Sequence, residues 1–137
     1  MAVKTHLGFF IFTMVGCIIM VPVSSKTTHI VGDSFGWSLP NNPEFYKEWA
    51  KNRNFVVGDL LIFQYHPGLN TVVQVNKEDY DNCSIKNTIN SYVRGNSSFT
   101  LDKPGDYFFI SSVGKHCEAG EKLSITVSQG KLQSSSI

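Results

Sequence analysis

Short runs of alternating apolar and polar residues, separated by tight turns, are the feature that most constrains the fold of this chain. Residues 122–128 (KLSITVS) alternate strictly, and residues 98–102 (SFTLD) repeat the pattern. A period of two is typical of β-strands with one buried face. Denser apolar or aromatic runs predict further strands at residues 29–31, 60–65, 72–75 and 106–110. We interpret 60–65 and 72–75 as strands that are covered on both faces.

Turn and helix signals divide these strands. Pro67-Gly68 and Pro104-Gly105 each predict a type II turn, because Pro pre-sets φ and Gly tolerates a positive φ. Asn42 is expected to cap a helix that continues through Trp49, with Trp49 facing inward. Residues 77–82 predict a second, shorter helix. Many short strands in a domain of about 100 residues favour a β-sandwich.

The two ends of the chain differ from its body. An uncharged apolar run from Leu7 to Val23 precedes small residues, so residues 1–25 predict a signal peptide and hence secretion. The alternative is a membrane anchor, but the run is short for a span and Pro22 interrupts it. Residues 129–137 form a short polar tail without a lipid-anchor signal, and no stable membrane anchor is expected.

The charge balance limits the classes of partner. Removing residues 1–25 from the 137 leaves 112, with 11 basic and 11 acidic residues, because only Lys4 is lost. A balanced chain gives no reason to expect nucleic acid or an anionic membrane as partner. The oligomeric state cannot be read from these features.

Cysteines and glycosylation sequons agree with export. Cys17 lies in the apolar segment, which leaves Cys83 and Cys117 either to pair in an oxidising compartment or to remain as two free buried thiols. Asn82 and Asn96 each begin an Asn-X-Ser sequon. Asn96 lies in a predicted exposed turn and is the better candidate for glycosylation.

Five segments together resemble the phytocyanins, the plant-specific cupredoxins. They are residues 29–37 (HIVGDSFGW), 55–63 (FVVGDLLIF), 80–83 (YDNC), 105–110 (GDYFFI) and 114–123 (GKHCEAGEKL). The resemblance covers residues 28–128, within a domain that we place at residues 26–128. It implies an all-β, cupredoxin-like Greek-key sandwich of about seven strands with one or two short helices. It also implies a disulfide between Cys83 and Cys117.

The resemblance further implies where copper would be bound. In copper-binding members two His and one Cys thiolate hold the metal, with a weak axial Met or Gln. The matching positions here are Asn70 for the first His, Ser111 for the Cys, His116 for the second His and Glu121 for the axial residue. A Ser hydroxyl cannot replace a thiolate for copper, so we expect no copper cofactor. The pattern is similar to the early nodulin-like branch of the family, which lacks the ligands.

Two functions follow from this interpretation. The first is a secreted, non-enzymatic module that binds a cell-wall glycan, a glycoprotein or a receptor, with no metal site and no catalytic residues. The alternative is a copper-binding electron-transfer protein or a weak metal binder based on His116. We do not expect a hydrolase built on Ser111 and His116, because nothing in the sequence indicates an oxyanion hole.

Overall fold

The computed structural model describes residues 26–130. The predicted signal peptide, residues 1–25, and all but the first two residues of the predicted tail lie outside this range. The boundaries of these segments therefore stay predictions. Within residues 26–130 no helix combines the length and the apolar character that crossing a bilayer would require.

Eight strands form two sheets, which confirms the predicted all-β sandwich. The first sheet has the order β1-β3-β6 and the second the order β2-β8-β7-β4-β5. Every run predicted to be a strand is one, and two further short strands, β2 and β5, were not predicted. The strands are β1 (Thr28–Ile30), β2 (Phe55–Val56), β3 (Leu60–Phe63), β4 (Val72–Val75), β5 (Asn90–Tyr92), β6 (Ser97–Thr100), β7 (Gly105–Ile110) and β8 (Lys122–Ser128).

The core lies between the sheets and is rich in aromatic side chains. Strand β8 buries Leu123, Ile125 and Val127 and exposes the residues between them, as its alternation predicts. Phe63 lies 5.1 Å from Trp37 and 5.1 Å from Phe109, measured between ring centroids, and all three rings are fully buried. These rings join the two sheets into one core, since large aromatic side chains dominate such burial.

The two dense apolar strands differ from each other. All four residues of β4 are buried, as predicted for a strand covered on both faces. In β3, by contrast, Leu60 and Ile62 are only half-buried and alternate with buried neighbours. The prediction for β3 is therefore wrong, because β3 belongs to the smaller three-stranded sheet, whose outer face stays partly open.

Two helices occur where the sequence predicted them, and α2 (Lys77–Asn82) has the predicted bounds. Helix α1 (Phe45–Lys51) begins later than expected, although the side chain of Asn42 does accept the backbone N–H of Glu44 at 2.9 Å. Trp49 packs inward as expected. Gly68 and Gly105 both have the positive φ that the predicted turns require.

A disulfide joins Cys83 to Cys117, with their Cα atoms 5.8 Å apart. It links the end of α2 to the segment that leads into β8. The bond therefore holds together the loops at the end of the sandwich where the candidate site lies.

Candidate functional site at one end of the sandwich

The topology brings the four sequence-predicted positions to one end of the larger sheet. Asn70 lies just before β4, Ser111 directly follows β7, and Glu121 directly precedes β8. These three strands are hydrogen-bonded neighbours, with Ile110 paired to both Val73 and Lys122. His116 lies in the loop between β7 and β8. The spacing of these residues along the sequence thus places them around one point.

Three of the four side chains form a hydrogen-bonded cluster. His116 Nδ1 lies 2.9 Å from Glu121 Oε1. The Asn70 amide is oriented by its partners: with Nδ2 turned inward it donates to Glu121 Oε2 at 2.9 Å and to the Leu69 carbonyl at 3.0 Å. Glu121 has no exposed surface, and Asn70 is also buried. The Asn70–His116–Glu121 cluster is therefore closed to solvent except at His116.

Burial controls the charge of this cluster. Removal from water raises the pKa of the Glu121 carboxyl to about 8, because desolvation penalises its charged form. At neutral pH the carboxyl keeps its proton, and its O–H can donate a hydrogen bond to His116 Nδ1. The buried Glu121 side chain is then neutral.

Ser111 is buried beside the cluster but does not join it. Its hydroxyl accepts the Val113 backbone N–H at 3.3 Å, and its own N–H donates to the Glu121 carbonyl at 3.1 Å. No hydrogen bond connects Ser111 to His116 in residues 26–130. The geometry therefore lacks the contact between nucleophile and base on which serine hydrolysis depends.

The donor set does not fit copper. It consists of one imidazole, one neutral hydroxyl, one amide and one buried carboxyl, and the last two already bond each other. Copper sites of this geometry require a soft thiolate, which Ser111 cannot supply. Within the described residues, no group of three or more His, Cys, Asp and Glu side chains could hold a metal ion.

A shallow hollow opens beside the cluster. It has a volume of about 380 Å³ and is shared by Phe35, Gln64, His66, Leu69 and Asn70, among others. His66 is exposed, as its place in the turn predicted; its backbone carbonyl accepts the Asn70 N–H at 3.3 Å, but within residues 26–130 its imidazole has no hydrogen bond to the cluster. Leu69 is 62% exposed and Phe35 is 45% exposed, so two large apolar side chains border the hollow. Sequence reasoning missed both, although an apolar Leu directly after a Pro-Gly turn was a visible signal.

A second buried polar cluster lies elsewhere and was also missed. The Asp59 carboxylate accepts His29 Nε2 at 2.8 Å and the backbone N–H groups of Thr27 and Val56 at 3.0 and 3.1 Å. Burial alone would raise the pKa of Asp59, but these hydrogen bonds and the imidazole together lower it. His29 is thus structural, as its position in the first strand suggested.

The two sequons lie in different surroundings. Asn82 is the exposed last residue of α2, next to the disulfide. Asn96 is exposed just before β6, and its Oδ1 accepts the Tyr65 backbone N–H at 3.1 Å. Glycosylation at either position stays a prediction.

A two-sheet β-sandwich with a disulfide next to the Asn70–His116–Glu121 cluster defines a cupredoxin-type domain. The family model of the plastocyanin-like domain matches residues 37–121. The fold resembles cucumber stellacyanin in its Cu²⁺ form, with a TM-score of 0.72, 36% identity, and coverage of 79% of this chain and 100% of that one. It also resembles cucumber basic protein, a blue copper protein, with a TM-score of 0.64, 30% identity, and coverage of 73% and 98%.

Curated relatives point to the same group. Early nodulin-like protein 12 of Arabidopsis thaliana is 41% identical over 76% of this chain, and cucumber peeling cupredoxin of Cucumis sativus is 41% identical over 74% of it. The chain belongs to the phytocyanin family. It spans 76% of the cucumber protein but only 56% of early nodulin-like protein 12 and 36% of early nodulin-like protein 2.

Proposed function

We propose that this chain is an extracellular, non-enzymatic binding module that contacts a glycan, glycoprotein or receptor through the end where copper-binding relatives hold their metal. The observation that carries the proposal is the Asn70–His116–Glu121 cluster. Its buried polar groups are bonded to one another, so they are not arranged to bind a metal or to activate a nucleophile.

The rim of this end supports a contact role. Leu69 and Phe35 expose large apolar side chains beside a polar hollow. Exposed apolar residues grouped with polar neighbours often mark interaction sites on extracellular and other soluble domains. Phe35 is held in place by an edge-on contact with Phe45, at 4.9 Å between ring centroids. A pre-positioned aromatic side chain loses little entropy when a partner binds.

Export is part of the same proposal. The apolar run before residue 26 and the disulfide between Cys83 and Cys117 support an oxidising, extracytoplasmic setting. The cell wall and its glycoproteins are the partners that such a setting offers.

The experiment is a binding screen with protein purified from plant cells that express the full chain. Immobilised cell-wall glycans and arabinogalactan glycoproteins are tested against the unaltered protein and against Leu69→Ser. We expect binding to at least one of them and a loss of about tenfold or more in affinity for Leu69→Ser, as for a residue at the centre of an interface.

Ile89→Ser is the matched control, because Ile89 is 57% exposed but does not line the hollow. It should leave the affinity unchanged. If no glycan or glycoprotein binds, or if both variants bind as the unaltered protein does, the proposed contact surface is wrong.

A further inference from the structure

A separate groove lies between α1 and β8, and none of its lining residues belongs to the Asn70 end. It has a volume of about 590 Å³. Its charged residues are Lys47, Lys51 and Arg53, and no carboxylate is among its lining residues. The groove thus presents three cations, of which Lys47 and Arg53 are each paired with an exposed carboxylate outside the lining, Glu44 and Asp33 respectively.

The two lysines carry a local electrostatic cost. Lys47 and Lys51 are one helical turn apart on α1, where like charges destabilise a helix by about 0.2–0.5 kcal/mol. Lys47 lies 3.5 Å from Glu44, an exposed pair that compensates part of this repulsion. Lys51 has no carboxylate within 4 Å among residues 26–130. An anion bound between the two lysines would relieve the repulsion.

Arg53 is held in position before any ligand arrives. Its guanidinium lies over the Trp49 ring at 4.5 Å, and Nη2 donates to Asp33 at 2.7 Å. Such a held guanidinium loses little conformational entropy on binding. It provides a fixed cation at one end of the groove.

The opposite wall and the floor offer contacts of another kind. Ser124 and Thr126 point outward from β8, on either side of the buried Ile125. The Thr126 hydroxyl donates to Asp106 at 2.7 Å, which leaves its oxygen free to accept. Tyr80 and Ile125 also line the groove, but both side chains are almost fully buried. Cations and hydroxyls thus line the same surface.

We propose that this groove binds an acidic oligosaccharide, a chain of uronic acid residues. Its repeated carboxylates match the cations on α1, and its hydroxyls match Ser124 and Thr126. The proposal takes its extracellular ligand from the proposed function, but it concerns a different surface.

The test is calorimetric titration of protein purified from plant cells with unesterified oligogalacturonate at low salt. The double variant Lys47→Gln/Lys51→Gln should bind about tenfold or more weakly, because two charge contacts are lost. Affinity of the unaltered protein should also fall as salt is added. Lys86→Gln/Lys103→Gln removes the same charge from exposed positions outside the groove and should bind nearly normally. Thermal melting establishes that all variants are folded.

The inference is wrong if oligogalacturonate does not bind or if the two double variants weaken its binding equally. It is also wrong if the fully methyl-esterified oligosaccharide binds with the same affinity. Tighter binding of a poly-glutamate peptide of similar length would also overturn it, because the preferred partner would then be an acidic protein. Leu69→Ser should leave oligogalacturonate binding intact, so this site and the Leu69 surface can fail separately.

Discussion

Within residues 26–130, two pairs of histidine and buried carboxyl have similar distances between their hydrogen-bonded atoms. His29 lies 2.8 Å from Asp59, and His116 lies 2.9 Å from Glu121. Both carboxyl groups are almost completely buried. Yet the pKa of Asp59 is lowered, whereas that of Glu121 is raised to about 8.

The difference lies in the backbone around each carboxyl. Asp59 accepts two backbone N–H groups in addition to the imidazole, and these stabilise its charge against the desolvation cost. For Glu121 desolvation prevails, since its partners are only the side chains of His116 and Asn70. Burial therefore raises the pKa of a carboxyl where its hydrogen bonds do not offset the loss of hydration. The Asp59 pair stabilises the fold with its carboxyl charged, while the Glu121 carboxyl stays protonated at neutral pH.

The largest effect is expected from Asp59→Ala. The change leaves His29 and the N–H groups of Thr27 and Val56 without their acceptor, so the free energy of unfolding should fall by about 3–5 kcal/mol. Urea denaturation measures the loss. Glu121→Gln serves as the contrasting variant, because an uncharged amide replaces a carboxyl that is already protonated at neutral pH. Equal losses for the two variants would remove the distinction between the pairs.

Reduction of the Cys83–Cys117 disulfide should cause the next largest loss of stability, and it should loosen mainly the region around His116. The bond closes a 34-residue separation, so its loss should lower the free energy of unfolding by about 2–4 kcal/mol. Because Cys117 follows His116 directly, amide exchange should accelerate more at Glu121 than at Val56. Unchanged melting after reduction, or uniform acceleration, would argue against this role.

The pH dependence of stability should differ in sign between the two carboxyls. Between the ordinary value of 4.5 and about 8, folded Glu121 keeps a proton that the unfolded chain has released. Stability should therefore fall as pH rises through this window, by at most about 1.4 kcal/mol per pH unit. The contribution of Asp59 is present above its unfolded pKa and is lost as pH falls through its lowered folded value.

Denaturation midpoints across this pH range test the prediction. Glu121→Gln should remove the decline on the alkaline side, and Asp59→Asn should remove the decline on the acidic side. A Glu121→Gln protein that still loses the same stability between about pH 5 and pH 9 would show that another group is responsible.

The smallest effect is expected for His116→Gln. The side chain is 25% exposed, so water can replace its one strong bond, and the loss should stay below about 1 kcal/mol. His29→Gln, in a side chain that is only 4% exposed, should cost clearly more. Chemical denaturation of the two variants measures both losses. A larger loss for His116→Gln than for His29→Gln would contradict the prediction.

Parts of this architecture could be read from the sequence because they are encoded locally. The alternation in β8, the dense apolar run of β4 and the bounds of α2 depend on neighbouring residues. Strand β2 has two residues and β5 is largely polar, so they are strands only because β8 and β4 pair with them. Pairing across long separations has no local signature.

At the candidate site too, some features could be predicted from the sequence and others depend on long-range packing. The resemblance located Asn70, Ser111, His116 and Glu121, and the structure places them together. The complete burial of Glu121 and its bond to the Asn70 amide depend on the packing of three loops and could not be predicted. Asp59 entered the sequence analysis only as one residue of the 55–63 segment, because its partners His29 and Thr27 lie about 30 residues away.

A gain-of-function variant provides the positive control for the claim that the donor set at this end does not fit copper. Asn70→His, Ser111→Cys and Glu121→Gln, combined in one protein, would restore the ligand types that the copper-binding pattern requires at these positions. Because the fold already brings the positions together, this variant should develop an intense thiolate-to-copper absorption when Cu²⁺ is added.

The most direct measurement is the visible spectrum of the unaltered protein during the same Cu²⁺ titration. Since its donor set offers no thiolate, the protein should show no intense thiolate-to-copper band at any Cu²⁺ concentration. An intense band in the unaltered protein, comparable with that of the triple variant, would contradict the conclusion that the Asn70–His116–Glu121 end does not fit copper.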